Sequence, residues 1–319
     1  MSDTLQLTGI HHLTAVSAQI AENKRFYTET LGMRLVKRSV NQDDTSAYHL
    51  FYADNVGTPG TDVTFFDWPV PQERRGNNAI TLTSLRVNAA SLDYWEARLA
   101  DKGISATRSE RDGRQHIDFD DPEGQRLALV EDDGTGTPSV PWPDSLVPAE
   151  HQVLGLGPIV MTIPMLQRSQ PVLERVYNMR HARTYEHTPI TGPGTAHVFE
   201  MGAGGTSAEL HVIERDDLQR GHLGAGGVHH VAFRCPDSDY HAWSERLSEF
   251  GLNHSGEVDR YWFESLYYRE PSGILFEIAT DGPGFGVDED MATLGEKVVV
   301  PPFLEAQREQ IVANLKPID

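Results

Sequence analysis

The chain has 319 residues and a net charge of −20, with 39% hydrophobic and 23% charged residues. That apolar content suffices for packed cores and excludes a disordered chain, and the length suggests two domains or one large one. A surface this acidic repels phosphate backbones and anionic bilayers, so neither nucleic acid nor a membrane is an expected partner. No apolar run reaches 18 residues, and Met1-Ser2-Asp3-Thr4 has neither the basic nor the apolar region of a secretory signal. Cys235 is the only cysteine, which excludes an intramolecular disulfide framework and any cysteine-built zinc site and fits a reducing, cytoplasmic setting.

In chain order, Gly9-Ile10-His11-His12-Leu13-Thr14-Ala15-Val16 reads as a short apolar strand led by glycine and a histidine pair. A helix is expected over 20–31, where Ile20, Phe26, Tyr27 and Leu31 fall near a 3.6 period and Gly32 supplies the C-terminal cap. Further on come the strand Val63-Thr64-Phe65-Phe66, a strand over 80–87, a helix over 89–102, and the turn Asp121-Pro122-Glu123-Gly124 opening another strand. Residues 132–151 carry Gly134, Gly136, Pro138, Pro141, Pro143 and Pro148 and make the best linker. A strand over 157–163 and a helix over 166–177 containing Pro171 follow. Gly202-Ala203-Gly204-Gly205 leads into a strand and is a turn, not a phosphate cradle. The opening pattern then returns as Gly227-Val228-His229-His230-Val231-Ala232-Phe233, with a helix over 239–250 capped by Gly251. Glu270-Pro271-Ser272-Gly273 repeats the acidic-Pro-x-Gly turn before Ile274-Leu275-Phe276-Glu277-Ile278. A polar helix over 304–315 follows Pro301-Pro302.

The chain is therefore four strand–helix–three-strand units starting near residues 9, 80, 157 and 227, at intervals of 71, 77 and 70 residues. The residues read as α+β, four βαβββ modules that the linker splits into two paired-module domains, 1–140 and 152–286, with a tail over 287–319.

Fourteen histidines predict roughly 0.6 adjacent pairs by chance. Two pairs at equivalent places in a repeat exceed that. Strand neighbours face opposite ways, so one histidine of each pair would face inward, and alternation alone leaves open which. Glu277 sits in an otherwise apolar strand, where a carboxylate is costly unless paired or metal-bound, and its counterpart in the related unit is Ala128. Two imidazoles and one carboxylate form the facial set typical of non-haem Fe(II); Mn(II) suits the same ligands, and zinc is compatible with them.

The repeated unit, the two histidine pairs and the Pro-x-Gly strand bearing Glu277 resemble the vicinal oxygen chelate superfamily of glyoxalase I, extradiol dioxygenases and bleomycin-resistance proteins. The loop Asp54-Asn55-Val56-Gly57-Thr58-Pro59-Gly60-Thr61 and the tail Pro301-Pro302-Phe303-Leu304-Glu305 resemble its hydroquinone-type ring-cleaving branch. The resemblance implies curved mixed sheets around a metal site, and His12, His230 and Glu277 as ligands of Fe2+, with Mn2+ as the alternative. The metal would then lie between the first and fourth units, since the third has Val160 at the ligand position. It implies a small aromatic substrate and O2 as partners, with Tyr267 bonding a substrate oxygen, Arg260 in the same pocket, and His229 and His11 beside the site as supporting or acid–base groups. Thr14 shares a face with His12. A three-residue turn at 271–273 would set Tyr267 opposite Glu277; a two-residue turn would put it on the other face. Two rival readings are a glyoxalase-like, oxygen-independent lyase or isomerase and a non-catalytic binding module. Composition leaves a homo-oligomer open.

Overall fold

The computed structural model describes residues 5–187 and 192–318; the N-terminal stretch 1–4 read above lies outside them. The first unit holds β1 (Gly9–Ser17), α1 (Ile20–Arg25), β2 (Arg34–Asn41), β3 (Asp44–Ala53) and β4 (Asp62–Asp67). The second holds β5 (Ala79–Val87), α2 (Leu92–Asp101), β6 (Ala106–Arg111), β7 (Arg114–Asp120) and β8 (Arg126–Glu131). The third holds β9 (Gly155–Ile163), α3 (Leu166–Pro171), β10 (Arg180–His187), β11 (Gly194–Glu200) and β12 (Glu209–Glu214). The fourth holds β13 (Val228–Cys235), α4 (Tyr240–Glu249), β14 (Val258–Asp259), β15 (Glu264–Arg269) and β16 (Leu275–Thr280), and α5 (Arg308–Asn314) lies in the tail.

The βαβββ order is that expected, and the strands form two curved, eight-stranded mixed sheets. One runs β14-β15-β16-β13-β1-β4-β3-β2 and joins the fourth unit to the first. The other runs β10-β11-β12-β9-β5-β8-β7-β6 and joins the third to the second. The seams are the antiparallel pairs β1–β13 and β5–β9. Residues 1–140 and 152–286 thus each contribute half of each sheet.

Helices and sheet backs share one core. Trp95 of α2 and Trp243 of α4 stand at equivalent helix positions and are fully buried, as are Leu99 and Leu247 one turn on. Truncating either tryptophan to alanine would cost about 3–5 kcal/mol. The helices expected over 20–31 and 166–177 each begin α-helical and finish as a π-helix, Phe26–Thr30 and Val172–Val176. The wider turn shows in Leu31 N–H donating to Phe26 C=O and Tyr177 N–H to Val172 C=O, each five residues back. In α3 Pro171 has no N–H for the α pattern, which loosens the turn it ends. Gly32 ends the first helix at φ +71°, where a Cβ would sit 2.5 Å from Val147 Cγ2, so both conformation and space demand glycine. The tail helix opens with a 3-10 turn, Pro302–Gln307, and packs Leu304 and Ile311 on Val40. Among the described residues no helix is long and apolar enough to cross a membrane.

Candidate metal centre

The histidine pairs straddle the seam of the first sheet. Across β1–β13, Ile10 opposes Phe233 and His12 opposes Ala232, so His11 is an extra residue. Thr14 opposes His230 and Ala15 opposes Val228, so His229 is the extra residue of the other strand. These are two β-bulges, so the facing of His11 and His229, which alternation left open, is set by the extra residue rather than by period-two counting. A bulge re-aims its side chain, and both histidines of each pair lie together: His11 Nδ1 is 2.9 Å from His12 Nδ1, and His229 Nδ1 is 2.8 Å from His230 Nδ1. The loop 54–61 supports the first bulge from below. Gly60 N–H donates to His11 C=O at 2.7 Å, and the Asp54 carboxylate accepts from Val56 N–H, Thr58 N–H and the Thr58 hydroxyl.

Strand register brings the carboxylate in. β13 and β16 run parallel with Ala232 beside Glu277, so Glu277 shares the concave face with His230 and His12. Its Oε2 lies 3.3 Å from His12 Nε2 and 2.9 Å from His230 Nε2. All three residues are buried, and the three ligand atoms lie within 4.8 Å of one another. The His230 pKa is lowered by burial, against the pull of Glu277. Burial, with His12 as a second cause, lowers His11 to about 3, and burial with His230 lowers His229 to about 3.

Neutral imidazoles fix the proton positions. The Thr280 carbonyl can only accept, so His11 Nε2, 2.9 Å away, carries the proton. His11 Nδ1 is then an acceptor, His12 Nδ1 must donate to it, and His12 Nε2 is left with a lone pair aimed at Glu277. Glu277 Oε2 makes no well-aligned hydrogen bond despite its two imidazole neighbours, while its Oε1 accepts from the Ser265 hydroxyl at 2.5 Å. Lone pairs converging in a buried space repel one another unless a cation lies between them. The donor set therefore fits a divalent transition metal, with each ligand held by a further bond: His12 by His11, His230 by His229, Glu277 by Ser265.

A cleft opens beside the three residues, bordered by His12, His230, His49, Arg260 and Tyr267 and walled by aromatic rings. Tyr267 pairs directly with Glu277 across the β15–β16 hairpin, which resolves its face. Its hydroxyl accepts from Arg260 Nε at 3.2 Å, and Arg260 also pairs with Asp43 at 3.0 Å. Burial raises the Tyr267 pKa, so it stays a phenol that can donate. Thr14 bonds Thr64 at 2.8 Å, and Thr64 bonds His49 Nε2 at 2.9 Å. Sequence reasoning missed His49, Thr64, Ser265, Trp262 and Phe263. His49 carried a usable signal, being the one polar side chain in the apolar run Tyr48-His49-Leu50-Phe51-Tyr52.

The second sheet replaces the centre. By the same register the counterparts of His230, His12 and Glu277 are Leu82, Pro158 and Ala128. Val160, expected at the ligand position, opposes Leu82 as Thr14 opposes His230, so it stands in the place of Thr14 and packs with Leu82 and Ala128 in one apolar cluster. Asp112, Glu209 and His211 also lie within ligand distance there. Their charge is already met: Arg114 grips both oxygens of Glu209 at 2.7 and 2.8 Å, Arg183 pairs with Asp112 and Glu209, and His211 bonds Glu209 and Tyr185. A cation would have to expel two guanidinium groups, so this is an ion-pair network tying β7 and β10 to β12. Burial works to raise the Glu209 pKa, but Arg114, His211 and Arg183 depress it below the ordinary value. A depressed carboxylate stabilises the fold fully above its unfolded pKa of about 4.3 and loses that contribution as pH falls through the folded value. Urea midpoints measured from pH 6 downward should therefore fall more steeply for the wild type than for Glu209→Gln, with the difference opening below about pH 4.3. Parallel slopes would remove Glu209 from the linkage.

The fold and this donor set define a class: paired βαβββ modules whose sheet face can present metal ligands. The chain belongs to the Glyoxalase/Bleomycin resistance protein/Dioxygenase superfamily, which it matches over residues 9–129 and 155–278. It is 43% identical over 318 residues to the Bacillus subtilis (strain 168) protein named "Putative ring-cleaving dioxygenase MhqA", covering 98% of this chain and 100% of that one. It is 29% identical over 322 residues to the chlorohydroquinone/hydroquinone 1,2-dioxygenase of Sphingobium indicum (strain DSM 16413 / CCM 7287 / MTCC 6362 / UT26 / NBRC 101211 / UT26S), covering 97% of this chain and 96% of that one. A crystal structure described as a "putative dioxygenase" from Bacillus subtilis subsp. subtilis str. 168 superposes with a TM-score of 0.87 at 33% identity, covering 99% of both chains.

Proposed function

We propose that the protein is an Fe(II)-dependent ring-cleaving dioxygenase acting on a hydroquinone or a related dihydroxylated aromatic. The observation that carries this reading is the set His12, His230 and Glu277 with its unbonded Oε2, beside an aromatic-walled cleft containing Tyr267 and Arg260. The names of the relatives support the same reaction. Two histidines and one carboxylate would hold the iron, with Mn(II) as the alternative, and three positions left for substrate and oxygen. Once bound, the metal supplies Lewis acidity toward a phenolic hydroxyl and a meeting place for substrate and O2.

The chain's own residues do the rest. Arg260 donates to the Tyr267 oxygen, which leaves the phenol proton free for a substrate oxygen that gains negative charge. His229 orients His230 through the contact between their Nδ1 atoms, as His11, locked by the Thr280 carbonyl, orients His12. Aromatic walls exclude water from the ring. Residues 1–140 and 152–286 act as the two domains of this enzyme, with 287–319 as a tail.

The lyase reading is disfavoured by one register. Thr14 opposes Thr64 across β1–β4 as Ala232 opposes Glu277 across β13–β16, so Thr64 stands where a second carboxylate ligand would project. Oxygen uptake by protein loaded with Fe(II) under anaerobic conditions tests the proposal. One O2 consumed per hydroquinone, with little uptake on catechol, is the expected result. Uptake on catechol alone would overturn the hydroquinone assignment, and no uptake with any aromatic would overturn the dioxygenase.

A further inference from the structure

His49 is the one histidine bordering the cleft that belongs neither to the ligand set nor to the two bulges. It lies on β3, and its half-buried surface faces the cleft. Its ring is held on both sides by aromatics, with centroids 4.0 Å from Phe51 and 4.5 Å from Phe66. Register places it on the ligand face: His49 opposes Phe66 and Phe51 opposes Thr64, while Thr64 stands beside Thr14 of β1. Nε2 is fixed by Thr64 Oγ1 at 2.9 Å, and Thr64 is bonded to Thr14 at 2.8 Å. Nδ1 has no partner among the described residues, and His49 has no interaction beyond those stated that would supply one. A polar atom that opens on an aromatic-walled cleft and has no protein partner is free to bond a molecule bound there.

The chain behind it makes this atom adaptable. A threonine hydroxyl both donates and accepts, and Thr14 and Thr64 can reverse their shared bond by rotating two O–H groups. If Thr64 donates to Nε2, Nδ1 carries the proton and presents a donor. If Thr64 accepts from Nε2–H, Nδ1 presents a lone pair. Either a phenol hydroxyl or a phenolate or carbonyl oxygen is then accommodated without moving the ring. The position is also distinct from that of Tyr267. Thr64 stands on β4, the neighbour of β1 on the side away from β13, whereas Tyr267 stands on β15, beyond β13 and β16. The cleft thus has a phenolic donor on one side of the ligands and an imidazole on the other.

We propose that His49 is a specificity residue that binds the oxygen of the dihydroxylated ring remote from the metal, so that the site prefers a 1,4-diol to a monophenol. This rests on the ring-cleaving reading above and names what that site selects. No proton need leave or reach the metal ligands for it to hold.

The test is anaerobic calorimetry on the full-length protein loaded with Fe(II), titrated with hydroquinone and, separately, with phenol, which lacks the remote oxygen. Wild type should bind hydroquinone about tenfold more tightly than phenol, the size of one net hydrogen bond formed on binding. His49→Phe, which keeps an aromatic between Phe51 and Phe66, should bind the two ligands alike with its iron content unchanged. Thr64→Val, which removes the hydroxyl that orients the ring, should shrink the preference to a few-fold and serves if the phenylalanine variant does not fold. A purely structural role for His49 would weaken both ligands equally and overturn the assignment. So would a tenfold preference that survives in both variants, or a wild type that binds both ligands equally. A wild type that binds neither ligand would overturn the ring-cleaving reading itself, and this assignment with it.

Discussion

Glu277→Gln is expected to abolish stable iron retention while making the metal-free protein more stable. Glu277 Oε2 lies 2.9 and 3.3 Å from two imidazole nitrogens without a satisfactory hydrogen bond, and it is wholly buried. A glutamine keeps the bond that the Ser265 hydroxyl makes to Oε1 and places an NH2 group where Oε2 was. That group donates to the lone pairs of His12 and His230, and the buried negative charge is gone. Gaining one satisfied contact in place of a lone-pair clash is worth about 1 kcal/mol, a rise of roughly 2 °C in apo Tm. The same NH2 cannot ligate a cation well, so iron bound after loading and desalting should fall below about a tenth of the wild-type value, with dioxygenase activity lost in proportion. Ser265→Ala supplies the graded control. It leaves the three ligands and frees only Oε1, so metal affinity should drop about 10–100-fold, the usual cost of losing a bond behind a ligand. An iron-replete, active Glu277→Gln protein would eliminate this ligand set. A glutamine variant that loses metal and also loses apo stability would show that the carboxylate is needed for the fold rather than strained by it.

Parts of this centre were legible in the chain because they obey local rules. Glycine-led histidine pairs recurring in a repeat, and a carboxylate inside Ile274-Leu275-Phe276-Glu277-Ile278-Ala279, break the apolar pattern of buried strands, and such breaks mark sites. The βαβββ order follows from the same periodicity, and the fold bears it out. Bulges were not legible. Whether His11 faces in or out depends on one extra residue across β1–β13, a fact about the partner strand that period-two counting cannot contain. Tyr267 was undecided for a related reason, since its face turns on the length of the hairpin loop, and only the register Tyr267–Glu277 decides it. Ser265 lies twelve positions before the carboxylate that it orients and resembles any strand serine. His49 was different in kind. A polar ring inside Tyr48-His49-Leu50-Phe51-Tyr52 breaks an apolar strand as Glu277 does, so the same local rule marks it.

Lys37→Ala is expected to cost about 3–5 kcal/mol, the range for a buried ion pair stripped of one partner. Lys37 Nζ is fully buried beneath the tail segment 285–289, where it donates to Phe285 C=O at 3.2 Å, to Asp288 at 2.8 Å and to the Glu289 carboxylate. It also lies 5.1 Å from the Trp262 ring centroid and 5.6 Å from that of Phe285, so the cation is held by charge below an aromatic roof. Removing it leaves two largely buried carboxylates facing each other, and Asp288 is also the acceptor of Trp262 Nε1. The segment should then separate locally, releasing Phe285 from Phe51, its neighbour at 5.2 Å. Trp262 and Phe51 both border the cleft, so hydroquinone affinity should weaken about tenfold while iron content stays near wild type, because no ligand is touched. The sign can be isolated by Lys37→Met combined with Asp288→Asn and Glu289→Gln. Replacing the whole charged group removes the desolvated carboxylates with the cation, and stability should return to within about 1–2 kcal/mol of wild type. Hydrogen exchange across residues 285–299 and urea unfolding decide between these outcomes. If the single and triple variants are equally destabilised, the loss is one of packing by the lysine stem, and the charge plays no part in holding the tail over the cleft.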